Sequence, residues 1–201
     1  MASAADIKAL RERTGAGILD CKKALAESGD DMEAAIDWLR TKGIAKAAKK
    51  ATRIASEGLV EAYIHGEGRI GVLLEVNCET DFVALNDNFK ALVRDIAMHI
   101  AASSPEYVSR DEIPADAIER ERAVQRARVI DEGKPEKMAD KIVDDRISKW
   151  FQDVCLLEQP FIKENTTTVA DLIKQKIAKL GENITVARFV RFKVGETADR
   201  E

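Results

Sequence analysis

Arg69-Ile70-Gly71-Val72-Leu73-Leu74-Glu75-Val76-Asn77-Cys78-Glu79-Thr80-Asp81-Phe82-Val83 decides the fold, because the hydrophobic period changes at its far end. Ile70, Val72, Leu74 and Val76 alternate with a period of two, which predicts a strand with one apolar face. From near Asn86 onward, Phe89, Leu92, Val93, Ile96 and Ile100 recur at helical spacing and predict a long amphipathic helix. The turn Asn77 to Val83 lies between two rigid elements. Its Phe82 is either a core side chain at an element boundary or a ring presented outward.

Working toward the N-terminus, Leu59 to His65 also alternates, and Gly66-Glu67-Gly68 joins it to the strand ending at Asn77 as an antiparallel hairpin. Because those glycines link two strands, they do not form a dinucleotide loop, and no Walker sequence is present. Lys42, Lys46, Lys49, Lys50 and Arg53, with no acidic residue among them, read as a helical or semi-helical linker. Its charge either faces solvent or touches phosphate or RNA; it has no aromatic residue to stack bases. Before it, three short helices are predicted. The first is capped by Ser3, carries Ile7 and Leu10, and ends at Thr14-Gly15-Ala16-Gly17. The second has Ile18, Cys21 and Leu25 inside and stops at Ser28-Gly29. The third follows Asp30 or Asp31, with Met32, Ala35, Ile36 and Leu39 inside and Gly43 past its end. Three helices in so short a span resemble the ubiquitin-associated fold. Ile18, Leu19 and Lys22 either form a presented surface or, for the two apolar ones, fill the core.

Working toward the C-terminus, a charge-rich helix from after Pro114 to about Glu132 has sparse apolar positions (Ile118, Val124, Ala127, Ile130) and reads as a partly exposed brace. Gly133-Lys134-Pro135 breaks it, and a long helix follows through Trp150 and Val154. Thr168-Val169-Ala170-Asp171 opens a helix that Gly181 closes. Ile184 to Val194 is a last strand with Ile184, Val186, Val190, Phe192 and Val194 on one face. The fold class is therefore α+β: an N-terminal three-helix ubiquitin-associated-like module, then an antiparallel three-stranded sheet packed with helices. The domain reading is 1–43 for the module, 44–56 for the basic linker, and 57–201 for an α+β core with a helical middle and a C-terminal helix and strand.

Composition narrows the function classes. Apolar residues at 45% with 34% charged describe a globular chain, and no run reaches the ~18 apolar residues of a membrane span. The N-terminal fifteen residues are too charged for a secretory leader. Cys21, Cys78 and Cys155 are odd in number and far apart, which points to reduced thiols in the cytoplasm rather than a disulfide frame or zinc site. His65 and His99 lie near no Ser, Cys or Asp constellation, and Thr80 with Asp81 supplies too few convergent ligands for a metal. An enzyme with covalent chemistry is not expected. Residues 1–55 carry 11 Lys and Arg against 8 Asp and Glu, whereas the rest of the chain is acidic, a balance that suits a protein partner better than nucleic acid.

Several stretches in order resemble the translation elongation factor Ts family. They are Arg11-Glu12-Arg13-Thr14-Gly15-Ala16-Gly17 with Asp20-Cys21-Lys22-Lys23-Ala24-Leu25, then Lys46-Ala47-Ala48-Lys49-Lys50-Ala51, then Glu75 to Val83. Leu156-Leu157-Glu158-Gln159-Pro160-Phe161 and Arg188-Phe189-Val190-Arg191-Phe192 complete the set. Many members have two methionines where this chain has Ile18-Leu19, a volume-conserving exchange that keeps an apolar contact.

That resemblance implies a non-enzymatic guanine-nucleotide exchange factor whose partner is elongation factor Tu. It implies that Thr80, Asp81, Phe82 and Val83 insert near the partner's magnesium site, with Phe82 as wedge, Asp81 as polar anchor and Thr80 and Val83 as supports. Arg11, Ile18, Leu19 and Lys22 of the module would grip the same partner domain. No cofactor, no metal, no direct nucleotide binding, no membrane association and no nucleic-acid partner are expected, and the expected location is the cytoplasm. The chain resembles the compact members of the family, so a homodimer or a 2:2 complex is the stoichiometry to test. Two other classes remain open: an adaptor that binds a protein through the three-helix module, and an RNA binder acting through Lys42 to Arg53.

Overall fold

The computed structural model describes residues 3–196, apart from the side chains at 136 and 137. The chain divides into two compact units. One comprises Met1–Glu61, Leu74–Asp95 and Asp171–Ala187; the other comprises Ala62–Leu73, Ile96–Ala170 and Arg188–Glu201.

The first unit opens with α1 (Ala4–Thr14), α2 (Ile18–Glu27) and α3 (Met32–Lys50). Ser3 and Asp6 form a reciprocal capping box at the start of α1: Asp6 N–H donates to Ser3 Oγ at 3.1 Å, and Ser3 N–H donates to Asp6 Oδ2 at 3.1 Å. Gly15, in the left-handed region at φ 65°, closes α1 and sends its N–H back to the Arg11 carbonyl. Asp31, one of the two expected caps, accepts from Ala34 N–H at 2.8 Å at the start of α3. Leu10, Cys21, Ala24, Leu25 and Ala35 form the small core of these helices, with Ile7, Met32, Ile36, Trp38 and Leu39 packed around it.

Two expectations for this region change. Helix α3 does not stop at Gly43 but runs on to Lys50. A glycine inside a helix costs only about 1 kcal/mol. The alanine-rich segment that follows is a strong helix former, and Ala47 is buried within it. The glycine also has a packing use, since a Cβ there would lie 3.3 Å from Ala178 Cβ. Ile18 does not join the inner stripe of α2; it begins the helix and faces solvent, leaving Cys21 and Leu25 as the buried positions.

Strands β1 (Glu57–His65) and β2 (Ile70–Cys78) follow, joined by residues 66–69, a connection too short for anything but an antiparallel pair. The later strand β5 (Ile184–Lys193) completes a three-stranded sheet in the order β1-β2-β5, packed with helices. Both units draw residues from each of these strands. Val72, Leu74, Val76 and Cys78 bury the even-numbered face of β2, in keeping with its alternation. Gly58 allows β1 to approach β2 closely, because a Cβ there would overlap the Val76 carbonyl oxygen. After β2 come a one-turn helix, α4 (Asp81–Ala84), and α5 (Asp87–Ser103), on which Phe89, Leu92, Val93, Ile96 and Ile100 are fully or almost fully buried.

In the second unit α6 (Ala115–Asp131) and α7 (Glu136–Val154) form a helical hairpin. Its core gathers Ile113, Val129, Ala139, Val143, Ile147, Phe151, Val154 and Cys155. Val129 is the buried residue of α6, while the expected positions Val124 and Ile130 are exposed. The half-buried side of α6 runs through Ile118, Glu121 and Gln125 to Val129, so polar side chains carry part of a stripe sought among apolar ones. Arg122–Asp144 and Arg126–Asp140 pair at 2.7 Å along the hairpin's surface, where such pairs add little stability. A small antiparallel pair, β3 (Pro160–Phe161) and β4 (Glu164–Thr168), adds to the expected elements; its threonine-rich second strand lacks the apolar alternation that marks a strand in sequence. Helix α8 (Val169–Leu180), which leads on from β4 to β5, enters the first unit from Asp171.

His99 is fully buried in the second unit. Ile162 N–H donates to its Nδ1 at 3.2 Å, so its proton sits on Nε2 and is donated to Gln159 Oε1 at 2.9 Å. Gln159 Nε2 in turn donates to the Asp153 carbonyl at 2.6 Å. Burial holds the imidazole below its ordinary value of 6.5, outweighing the Gln159 bond, which acts in the opposite sense. The unfolded chain therefore takes up a proton near pH 6.5 that the folded chain resists. The stability tied to His99 is complete above that value and lost as pH falls toward the folded value, by up to about 1.4 kcal/mol per unit. Urea midpoints between pH 7.5 and pH 5 should show this loss in the natural chain and lack that component in His99→Gln.

Strand β5 departs from its expected face. Ile184 is buried and Val186 half-buried, but from Phe189 the inward positions are odd-numbered, and Val190, Phe192 and Val194 are exposed. A slip of one residue in the alternation moves every later side chain to the other face. Arg191 is turned inward instead, its Nε donating to the Ala101 carbonyl at 3.2 Å.

Candidate functional site

The turn after β2 is built from the strand outward. Cys78, the last strand residue, is buried, and its thiol donates to the Thr80 carbonyl at 3.1 Å. Burial, and after it the nearby Glu182 carboxylate, push this thiol above its ordinary 9.0, which keeps it protonated and unreactive. Thr80 has extended backbone angles (φ −130°, ψ 155°) and caps α4, with Val83 N–H directed at its hydroxyl at 3.4 Å. Asp81 is exposed, and its Oδ1 accepts from Phe82 N–H at 2.9 Å. Ala84 is buried and seats the turn, Val83 is half-buried, and Phe82 stands out with 82% of its surface exposed. Leu85, three residues on and therefore on the same side of the helical turn, is 67% exposed. The core alternative for Phe82 is thereby set aside.

The bonds that fix this turn within its unit come from residues the sequence reading did not single out. Glu182, between α8 and β5, accepts from Glu79 N–H at 3.1 Å and Thr80 N–H at 3.0 Å through Oε2, and from the Thr80 hydroxyl at 2.6 Å through Oε1. In return, Glu79 Oε1 accepts from Asn183 N–H at 2.6 Å, and Glu79 Oε2 lies 3.5 Å from the Arg53 guanidinium. Asn183 Nδ2 donates to the Arg53 carbonyl at 2.8 Å, and Lys50 Nζ donates to the Gly181 carbonyl. Nothing in local periodicity announces Glu182. Its signal in the sequence is Gly181, which ends a helix, so the residues after it must turn a corner.

Within the same unit, Leu19 is 83% exposed and Ile18 56% exposed in the first turn of α2, with Lys22 exposed one turn later. Arg11 is exposed in the last turn of α1, where its carbonyl receives Gly15 N–H. Asp20, beside Leu19, accepts from Lys46 Nζ at 2.9 and 2.8 Å, tying the start of α2 to the long helix α3. The outward leucine and isoleucine add no burial to the core of the three-helix module.

Among the described residues no group of His, Cys, Asp or Glu is arranged to hold a metal ion. Among them, too, no helix is long and apolar enough to cross a membrane. The three cysteines are free and buried, and burial raises the Cys155 thiol to about 11.

Residues 43–196 match the family model described as Elongation factor TS. The chain is 62% identical over 196 residues to Elongation factor Ts of Heliobacterium modesticaldum, covering 98% of this chain and 91% of that protein. It is 61% identical to Elongation factor Ts of Moorella thermoacetica, again over 196 residues, covering 98% and 97%. With the counterpart from Syntrophomonas wolfei it shares 58% identity over all 201 residues, which span 94% of that protein. Agreement of this depth over nearly the full length of each partner in the comparison leaves one conclusion: the chain belongs to the elongation factor Ts family.

Proposed function

We propose that this chain is the guanine-nucleotide exchange factor for elongation factor Tu, and that it promotes GDP release by inserting the Thr80–Val83 turn beside the partner's magnesium and phosphate site. The observation that carries this reading is Phe82, a large apolar ring held almost fully in solvent on a capped single helical turn. Such a ring costs the free chain hydrophobic energy and repays it only when buried by a partner. The outward Ile18, Leu19 and Lys22, with Arg11, grip the partner elsewhere, so α1, α2 and α3 work as a docking module.

Exchange follows from differential binding. A factor that binds the nucleotide-free partner more tightly than the loaded one weakens nucleotide by the same ratio. A 10⁴-fold effect requires about 5.5 kcal/mol, and burying one Phe supplies about 1.5–3 kcal/mol. Phe82 therefore acts with Leu85 and the module rather than alone. The reading is tested by mixing a substoichiometric amount of the chain with elongation factor Tu loaded with labelled GDP, in the presence of excess unlabelled GDP that displaces the factor from each emptied partner. Release of many equivalents of GDP per chain supports exchange catalysis; release limited to one equivalent, or none, points to an adaptor instead.

A second copy of the chain is the proposed occupant of the solvent face of the sheet in the second unit. Ile64, Leu73, Val190 and Phe192 are all exposed there, an apolar face of the kind that homodimers cover. Sedimentation should find a dimer at high protein concentration that Phe192→Lys converts to monomer. A natural chain that stays monomeric at all concentrations removes the proposal.

A further inference from the structure

We propose that Glu182 is a positioning residue for nucleotide exchange: its carboxylate clamps two consecutive backbone amides and the Thr80 hydroxyl so that Phe82 is held ready to insert. The inference rests on the reading of Phe82 as the inserting residue.

The need for a clamp follows from the local backbone. The strand ladder of β2 ends at Cys78 and α4 begins at Asp81, so the N–H groups of Glu79 and Thr80 fall between a sheet and a helix. A helix of only four residues has no stability of its own, because nucleation fixes several dihedrals for one hydrogen bond. Its geometry must be imposed from outside. Glu182 does this with three charge-assisted bonds at 3.1, 3.0 and 2.6 Å. By accepting the Thr80 hydroxyl hydrogen bond it also turns that oxygen's lone pairs toward Val83 N–H, at the other end of the turn. One side chain thus sets both the entry and the cap of the segment that carries Phe82.

The clamp is itself braced. The Glu79 carboxylate returns a bond to Asn183 N–H at 2.6 Å, so residues 79–80 and 182–183 hold one another reciprocally. Asn183 is buried and donates to the Arg53 carbonyl, and Lys50 donates to the Gly181 carbonyl, which ties the corner to the end of α3. Glu182 is only half-buried, so water can replace its bonds when it is removed. The expected consequence of removal is a turn that samples more conformations while the fold persists. If only a fraction of chains then hold Phe82 in the inserting geometry, the insertion step slows by that fraction, whereas docking through the N-terminal module is unaffected.

The test compares the natural chain with Glu182→Ala, Glu182→Gln and Phe82→Ala. Two readouts are needed. The first is hydrogen exchange of the Glu79 and Thr80 amides in the free chain. The second is release of labelled GDP from elongation factor Tu as a function of factor concentration. In Glu182→Ala the two amides should exchange at least about tenfold faster while amides inside β2 and β5 keep their protection. Its maximal release rate should fall about tenfold, with the half-saturating concentration within about twofold of natural. Glu182→Gln, whose amide oxygen still accepts both N–H groups, should stay within about threefold of natural in both readouts. The proposal is overturned if Glu182→Ala releases GDP at the natural maximal rate, if the two amides exchange no faster, or if protection collapses throughout the unit. Loss of activity in Phe82→Ala beside full activity in Glu182→Ala would overturn this proposal and leave the wedge standing. Full activity in Phe82→Ala would overturn the wedge and this proposal together.

Discussion

Phe82→Ala leaves the chain folded and lowers its stimulation of GDP release from elongation factor Tu by about 10- to 150-fold. The magnitude is that of one buried phenylalanine, about 1.5–3 kcal/mol, realised only when the partner is in its distorted form. The fold should survive because the ring is 82% exposed and removes almost no internal contact. Substitutions at such positions change stability by about 0.5 kcal/mol or less, and alanine is the better helix former in the short α4. Stopped-flow release measured over a range of factor concentrations checks the first statement, and a urea midpoint unchanged within error checks the second. The loss should appear in the maximal rate, since the role proposed for Phe82 lies in the insertion step.

The second large effect is expected at the other exposed surface. Leu19→Asp should weaken docking on elongation factor Tu roughly a hundredfold while leaving the maximal release rate near natural. Leu19 is 83% exposed, so the folded module loses little. An aspartate in the first turn of α2 also suits the positive end of the helix. At a closed interface the same change removes an apolar contact and adds a carboxylate that must be desolvated, two losses that each reach about 1–3 kcal/mol. Titration calorimetry against nucleotide-free elongation factor Tu reads the affinity directly. Phe82→Ala and Leu19→Asp thus separate by kinetic signature, one in the maximal rate and the other in the half-saturating concentration. If their residues act as independent contacts, the double variant should show the sum of the two free-energy losses.

Much of this architecture could be read from period alone. The even-numbered face of β2 and the stripe on α5 are buried as the alternation and helical spacing require, because each is long and strongly patterned. Ser3 and Asp31 cap where short polar side chains precede apolar runs. The failures have physical causes. Gly43 looked like a helix end, but its conformation is helical and its missing side chain serves packing against Ala178. In β5 a slip of one residue sends Val190 and Phe192 outward, and an alternation read from one end cannot register it. On α6 the half-buried edge is carried partly by Glu121 and Gln125, which bond to each other and whose type reads as surface.

The candidate site divides in the same way. Phe82 was visible as a residue at a junction, yet its own neighbours in sequence are compatible with either a core or a solvent position. What settles it is Ala84, buried in its place two residues later. The Glu182 and Asn183 contacts are more than a hundred residues away in sequence from Glu79 and Thr80. No periodicity or spacing rule connects such positions; only the folding of β5 alongside β2 does.

The central claim is that the Phe82 turn binds nucleotide-free elongation factor Tu in preference to the GDP-loaded form. Measuring the dissociation constants of the natural chain and of Phe82→Ala for both forms of the partner tests it most directly. The account predicts a large ratio of the two constants for the natural chain, and a ratio about 10- to 150-fold smaller for Phe82→Ala. An unchanged ratio in the variant would contradict it.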